Sequence, residues 1–524
     1  MKRKVFLFFV GLSISTCAFG AEFQVSSHTT YDQKDADIAA DANGNFVVVW
    51  SSYRQDGDSG GIFGQRFGAA GGRVGEEFQV NTTADGSQGE PAAAMGADGR
   101  FIVVWHGPAS AEDANEDIFA RRFNANGTPA DDEFRVNSFT DGEQACPSAA
   151  MNHDGNCVIV WESEGVPEAG KRGICGQLYD GAGTAVGSEF VVSDEASTWR
   201  YPDVGMDAAS AFVVTYIRDS SFKSVWVRHF EPNGTGLYLS SRVNDAFNFT
   251  SLTRPALATD PAGNYVIAWD AHPDSYLEDD IYLRRYHWTH APLHPQFRVN
   301  TTVAGAQCDP SLAISDDGDF VILWAGETGG QSTGADIFGQ RFPSQSEHIG
   351  EPLLLGDEFR VNTYRADEQR YPSVAVAPEG SFVGVWESYG QDGSRYGVFG
   401  AIGPVSGSAD IDGDGFVDWR DYCVLAEEWR RQENPLRADL VDDNKVDELD
   451  LAVLCGQWLR ARYECGEADI SGDGKVDLAD YAMWASDWAK LGPELAGDIT
   501  GDGIVDMADL KAAVFHWGQD CSAP

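Results

Sequence analysis

Positive charge is what this sequence has least of. Its 524 residues carry 37 Lys plus Arg against 82 Asp plus Glu, a formal charge of −45. A balance of that sign excludes nucleic acid and anionic membrane as partners, because both require a basic face. It favours bound cations. Beyond residue 20 there is no apolar run long enough to span a bilayer. The chain also lacks a G-x-S-x-G elbow, an H-E-x-x-H helix and a phosphate-cradling glycine loop. A glycosidase pair of carboxylates, roughly 5 to 10 Å apart across the scissile bond, is not legible among so many acids.

What is present is a composition able to fold. The hydrophobic share is 43% and the aromatic share 12%, enough to fill a core, and 58 glycines mark a chain with many turns. The length calls for two or more domains. Residues 1–20 read as a signal peptide: Lys2, Arg3 and Lys4 form the basic start and Val5 to Ile14 the apolar run. Ala18-Phe19-Gly20 then gives a small-residue cleavage site before Ala21. A lipid-modified Cys17 is the alternative, with Thr16 an awkward residue before it. The mature protein is therefore expected to be secreted, with its remaining cysteines in a compartment that permits disulfides.

One pattern recurs through residues 21–403. An apolar run ends in an aromatic at Trp50, Trp105, Trp161, Tyr216, Trp269, Trp324 and Trp386, spacings of 55, 56, 55, 53, 55 and 62. A fixed period of this size marks a repeat architecture. Each repeat holds four strand-like pieces: an inner piece such as Pro91–Met95, the apolar run, a third piece such as Ile62–Phe67, and a fourth such as Phe78–Asn81. Four short strands per unit describe a propeller blade. The chain opens with a lone fourth piece, Glu22–Val25, and the seventh repeat stops at its third, Val398–Ile402. If the first completes the last, the ring closes and no long edge stays unpaired. The expectation is a seven-bladed β-propeller, with an open repeat array as the alternative. The repeat resembles uncharacterised secreted bacterial β-propeller proteins. Turns such as Asp316–Phe320 are similar to sialidase Asp-boxes but lack their order, so hairpin-turn chemistry is the better reading.

After a short linker at 404–407 the composition changes. Residues 408–524 carry 27 Asp/Glu and 10 Lys/Arg, a net −17. A 12-residue loop begins at Asp410, Asp439, Asp469 and Asp498, and a Trp follows each start by 19 residues. Calcium takes oxygens from loop positions 1, 3, 5, 7, 9 and 12, with glycine at 6 for the sharp turn. Loop one offers Asp410, Asp412, Asp414, the Phe416 carbonyl, Asp418 and Asp421; loop three offers Asp469, Ser471, Asp473, the Lys475 carbonyl, Asp477 and Asp480. Loop four offers Asp498, Thr500, Asp502, the Ile504 carbonyl, Asp506 and Asp509. Loop two keeps Asp439, Asp443, Asp447 and Asp450 but has Val441 at position 3 and Asn444 at the turn, so it is a degenerate site. Three well-formed Ca2+ sites and a fourth weak one are expected. Asp rather than Glu closes every loop, and no helix-like segment precedes it. Loop then helix, closed by Asp, resembles the type I dockerin repeat, here as two tandem units at 408–462 and 465–524. That resemblance implies a small α-helical calcium-loop region docking to a cohesin-like scaffold or surface protein. Positions 10 and 11, such as Trp419-Arg420 and Leu478-Ala479, are not the small hydroxyl residues of the familiar cellulosomal kind.

Other residues divide between ligand and packing. Cys465 and Cys521 bracket the second unit, Cys423 and Cys455 fall on the helices of the first, and Cys157 and Cys175 replace aromatics of the other blades. Each pair is a candidate disulfide, although antiparallel register makes the last pair diagonal. Gln33, Gln88, Gln144, Gln307 and Gln369 precede the inner strands and read as backbone-satisfying amides. At the same mouth one blade departs from the others with Trp199, Arg200 and Tyr201, partly echoed by Arg370 and Tyr371. Stacking aromatics beside a hydrogen-bonding Arg suit carbohydrate; packing between blades is the bland alternative. His287, His290 and His294 read as solvated loop residues sooner than as metal ligands. The functional expectation is a calcium-binding interaction protein whose propeller holds a ligand and whose tail docks to a partner, in polysaccharide binding or breakdown. The alternative is a glycoside hydrolase or lyase at the channel mouth.

Overall fold

In the computed structural model the chain divides into two units, Met1–Ser406 and Gly407–Pro524. The structure describes residues 22–403, apart from 111–114, 167–170, 194–196, 246–251, 272–278, 303, 328–333, 345–354 and 378–379. The signal peptide, the linker, both dockerin-like units with all their calcium ligands, and the four cysteines beyond residue 403 lie outside the described residues.

The described residues form seven four-stranded antiparallel sheets. Blade 1 runs outward as Gln33–Ala40, Phe46–Tyr53, Gly60–Phe67 and Arg73–Gln79. Blades 2 to 6 repeat that order from inner strands Gly89–Met95, Gln144–Met151, Trp199–Met206, Ala256–Thr259 and Gln307–Ile314. Blade 7 takes Gln369–Val376, Phe382–Tyr389 and Tyr396–Gly403 from the end of the repeat region, and its outer strand is Phe23–Gln24. The ring is therefore closed by its own beginning, as the incomplete terminal repeats require. Among the described residues there is no helix, hence none long and apolar enough to cross a membrane.

Local chemistry explains each piece. The second strands read as continuous apolar runs because both their faces are covered by adjacent blades. Their closing aromatics, Trp50 through Trp386, are each at most 1% exposed. The first residue of the run faces the last residue of the third strand, giving stacked pairs Phe46–Phe67 at 4.9 Å and Phe320–Phe342 at 4.6 Å between centroids. Inner strands turn into second strands through Asx chemistry: Asp41 Oδ1 accepts the N–H groups of Asn43 and Asn45. The Asn that ends the fourth piece in five blades accepts a third-strand N–H, as Asn81 does from Ile62 and Asn362 from Ile337, and in blade 3 Ser193 does so from Ile174. Glycine in the third strand makes room for an outer phenylalanine. A Cβ on Gly64 would lie 2.8 Å from Phe78, and one on Gly400 2.9 Å from Phe23, so the closing strand repeats the contact of an ordinary blade.

A carboxylate clamp joins neighbouring blades. Glu77 accepts the Ser27 N–H at 2.6 Å, Glu189 that of Ser138 at 2.7 Å and Glu358 that of Thr301 at 2.6 Å. Glu22 performs the same task at the closure, accepting from the N–H groups of Thr363 and Tyr364 and from the Gln391 amide. Glu22→Ala should therefore loosen the seam between blades 6 and 7 and lower stability by about 1–3 kcal/mol, the range for orphaned hydrogen-bonding groups. Tryptophan fluorescence during denaturant unfolding measures this, with the exposed neighbour-type change Glu76→Ala expected to be neutral. Equal stability of the two variants would mean that the clamp does not hold the closure.

Candidate functional site: the bulged channel mouth

The inner strands carry the site. In six of them the pairing with the second strand shifts register early, as between Lys34 and Asp37 or between Arg370 and Ser373. At each shift one non-glycine residue takes a left-handed backbone: Asp35 (φ 53°), Glu90 (47°), Cys146 (51°), Tyr201 (53°), Asp309 (55°) and Tyr371 (47°). Blade 5 contributes Arg254 at the same position. Each of the seven stands fifteen residues before its blade's closing aromatic, from Asp35 before Trp50 to Tyr371 before Trp386. A non-glycine residue held left-handed costs about 1–2 kcal/mol. Six such costs at one level of one channel point to a built feature of the mouth.

Buried carboxylates hold two of these bulges from the preceding blade. The Tyr201 N–H donates to Glu162 at 2.8 Å and the Asp35 N–H to Glu387 at 2.7 Å; both acids are at most 1% exposed. Arginines compensate them. Arg172 lies 3.3 Å from Glu162, and Arg370 Nε donates to Glu387 at 3.0 Å while its guanidinium covers the Tyr396 ring at 3.9 Å. Burial and nearby Asp35 push Glu387 up to about 7 despite Arg370.

Across the mouth, Arg254 of blade 5 reaches Glu90 of blade 2 at 2.5 Å. Those blades are as far apart as a seven-membered ring allows, so one side chain spans the axis. The guanidinium also lies 5.4 Å from the Tyr201 ring centroid. Burial works against ionised Glu90, but Arg254, His106 and Cys146 around it hold the acid below its ordinary range. Burial raises Asp309 above the usual carboxylate range. Beside it, burial pushes Asp270 up to about 7, with Asp309 and Asp279 adding to the rise against the N–H of Thr253.

A second carboxylate level lies further along the inner strands. Asp37 accepts from Ser373 of blade 7 and from the Ala93 N–H of blade 2; Asp203 accepts from Ser148 of blade 3 and the Leu257 N–H of blade 5. Burial raises Asp37 and pushes Asp203 up to about 6. The inner strands end at the other mouth around a cavity of about 190 Å³, lined by Met95, Met151, Met206 and Ile314. His153 and Asp316 approach to 3.7 Å at its rim.

Several expectations change here. Trp199 offers no stacking face, because it is fully buried against Tyr216 and Trp226 at 5.1 and 5.7 Å. It occupies the position of Gln144 or Gln307, each of which accepts its blade's indole N–H from Trp161 or Trp324. Blade 4 has the smaller Tyr216 there, and the larger Trp199 fills the space. Arg200 is bound to Asp219 at 2.9 Å and Arg370 to Glu387, so both support the mouth from beneath. Tyr201 and Tyr371 stand in the ring itself. Cys157 and Cys175 are free thiols: Cys157 faces Tyr179 and Cys175 faces Trp161. Two of the three histidines are packed: His290 lies tilted against His229 with ring centroids 3.6 Å apart, and His294 is buried, whereas His287 bonds Thr289 at the surface. No group of acids, histidines and cysteines spaced for a metal ion occurs among the described residues. The residues that sequence reasoning missed are Asp35, Glu90, Cys146, Arg254 and Asp309. Their shared offset from the closing aromatics was the available signal.

No protein-family model matches this sequence, and no curated protein sequence does. Among solved structures the chain is similar to a protein of unknown function from Dyadobacter fermentans DSM 18053. The two are 8% identical over 73% of this chain and 98% of that one, with a TM-score of 0.45. It is also similar to the α-L-arabinanase of Penicillium chrysogenum complexed with arabinobiose (13% identity, 60% and 92% coverage, TM-score 0.39). A third is the polysaccharide lyase Uly1 (10% identity, 76% and 93% coverage, TM-score 0.42). At these identities and scores the likeness says nothing about ligand or activity.

The buried acids make a signed prediction. An acid whose folded-state pKa is raised favours the folded state while protonated. That contribution is fully present below the unfolded pKa and is lost as pH rises through the folded value. For Asp270 the window runs from about 4, the free aspartate range, to about 7. The stability of wild type relative to Asp270→Asn should fall across that window and level off above it. Unfolding midpoints of both proteins at a series of pH values measure this; a pH-independent difference would show that Asp270 ionises normally.

Proposed function

We propose that this is a secreted carbohydrate-binding protein of polysaccharide breakdown. Its propeller mouth holds the glycan, and its acidic C-terminal region binds calcium and docks to a cohesin-like partner. The observation that carries the ligand reading is the ring at the mouth: half-exposed Tyr201 and Tyr371, one arginine and three acids at equivalent positions of six blades. Aromatic faces take the apolar side of a sugar ring, while carboxylates and guanidinium take its hydroxyls. The anchoring reading rests on the four in-register loops at 408–524 and their resemblance to dockerin repeats.

Binding of the full chain to immobilised plant and algal polysaccharides tests the first part. Tyr201→Ala and Tyr371→Ala should each weaken retention about tenfold, about 1.4 kcal/mol, with the fold intact. Retention unaffected by both changes would move the glycan elsewhere. Calorimetric calcium titration tests the second part. Three strong sites are expected, reduced to two by Asp469→Ala, and a chain that takes up no calcium overturns it.

The competing reading is a polysaccharide-active hydrolase or lyase at the same mouth. One observation favours it: Asp270, pushed up to about 7 beside Asp309, has the protonation range of a general acid. Release of reducing ends or unsaturated sugars by the full chain, abolished by Asp270→Asn, would establish it.

A further inference from the structure

The opposite end of the channel has a chemistry of its own. Every inner strand ends there on the residue ten positions before its blade's closing aromatic. In blades 2, 3 and 4 that residue is Met95, Met151 and Met206, and in the flanking blades 1 and 5 it is the smaller Ala40 and Thr259. All of them line the one cavity of about 190 Å³. The chain has six methionines, and Met1, Met483 and Met507 fall outside residues 22–403, so the propeller places every thioether it has on this cavity. Each carbon stem packs in the seam with the preceding blade, while Met95 and Met151 stay only half-buried. A Cβ on Gly96 would lie 3.5 Å from Met151 Sδ, so this sulfur reaches across the seam to the residue that follows Met95. Methionine used as filler closes gaps; here the open space remains beside the sulfurs.

We propose that the three thioethers of blades 2, 3 and 4 form a binding site for one soft monovalent metal ion of the Cu(I) class. Thioether sulfur selects such an ion over hard cations, and it does so without a proton to lose. The charge around the cavity fits: Asp41, Asp207 and Asp316 line it, and no Lys or Arg does among the described residues. Those acids draw a cation but are already engaged. Asp41 accepts the N–H groups of Asn43 and Asn45 and has Arg66 near it, Asp207 accepts that of Ala211, and Asp316 faces His153 at the rim. The sulfurs are therefore the ligands, and this site is separate from the calcium loops and from the bulged mouth.

Methyl NMR reads the thioethers directly, whatever the free thiols take up. The full chain, labelled with 13C-methyl methionine, is titrated with silver nitrate in chloride-free buffer, Ag+ being the air-stable probe of the Cu(I) class. The methyls of Met95, Met151 and Met206 should shift together and reach their end point with one ion. Those of Met483 and Met507, isolated thioethers of the same chain, should need about tenfold more Ag+, the lower end for a disturbed metal site. Met151→Leu conserves volume, so the urea unfolding midpoint should stay near that of wild type. The Ag+ needed to shift Met95 and Met206 should nevertheless rise about tenfold. Asp316→Asn, an exposed charge, should change it less than about twofold, and Ca2+ should shift none of the three. Three methyls that move independently or no sooner than Met483 and Met507, or a Met151→Leu titration like that of wild type, would make the methionines packing residues. A loss in Asp316→Asn as large as in Met151→Leu would put the ion on the carboxylates and equally overturn the thioether site.

Discussion

Seven inner strands converging on one axis are the constraint on which the mouth depends. A closed ring of blades brings the same register position of every repeat to the same height. Residues 53 to 62 apart in sequence therefore meet around a channel. One bulge, repeated, turns that convergence into a site. It gives six of the seven blades one side chain out of step with the sheet, and at two of them the neighbouring blade supplies a fixed acceptor. Glu162 under Tyr201 and Glu387 under Asp35 are such acceptors. Their own burial is tolerable because arginine and backbone N–H groups satisfy them. The mouth and the seams between blades are thus one hydrogen-bonded structure.

The fold was far more legible than the site, and the reason is physical. A blade must bury both faces of its second strand, so the apolar run and its closing aromatic recur wherever a blade exists. Closure was legible too, because a lone fourth strand at one end and a missing one at the other admit one economical solution. The mouth leaves no such trace. Its column reads Asp, Glu, Cys, Tyr, Arg, Asp, Tyr, which no composition or periodicity rule singles out. Only the constant offset from the aromatics marks it. Trp199 shows the opposite error, an aromatic at the right end of the right strand that turned out to be filler. Its meaning lay in a second change, Trp to Tyr216, which opened the space it fills.

Depth along the channel separates three chemistries. The bulged mouth is wet and charged, with the Arg254–Glu90 pair laid across the axis. At the next level Asp37 and Asp203 act as inter-blade staples, each accepting from the blades on both sides. The far mouth mixes Met95, Met151, Met206 and Ile314 with polar groups such as Asn152, Asp207 and Asp316. The staples explain why burial of two more carboxylates is tolerated in an already acidic chain. Each joins three blades with hydrogen bonds that an apolar residue of the same size would not make. Asp203, pushed up to about 6, also sheds part of its charge as the surroundings demand.

The cross-channel pair has a consequence for how a ligand meets this protein. A polymer threading the axis would have to break Arg254 from Glu90 and then pass two carboxylates already committed to backbone and serine donors. Each step strands buried charge, for a total well above what contacts with a thin chain return. A polymer lying across the mouth breaks nothing. Such a polymer would meet Tyr201 of blade 4 beside Arg254 and Tyr371 of blade 7 beside Arg370. For the glycan proposed above, the geometry therefore favours lateral contact with a chain over passage of its end.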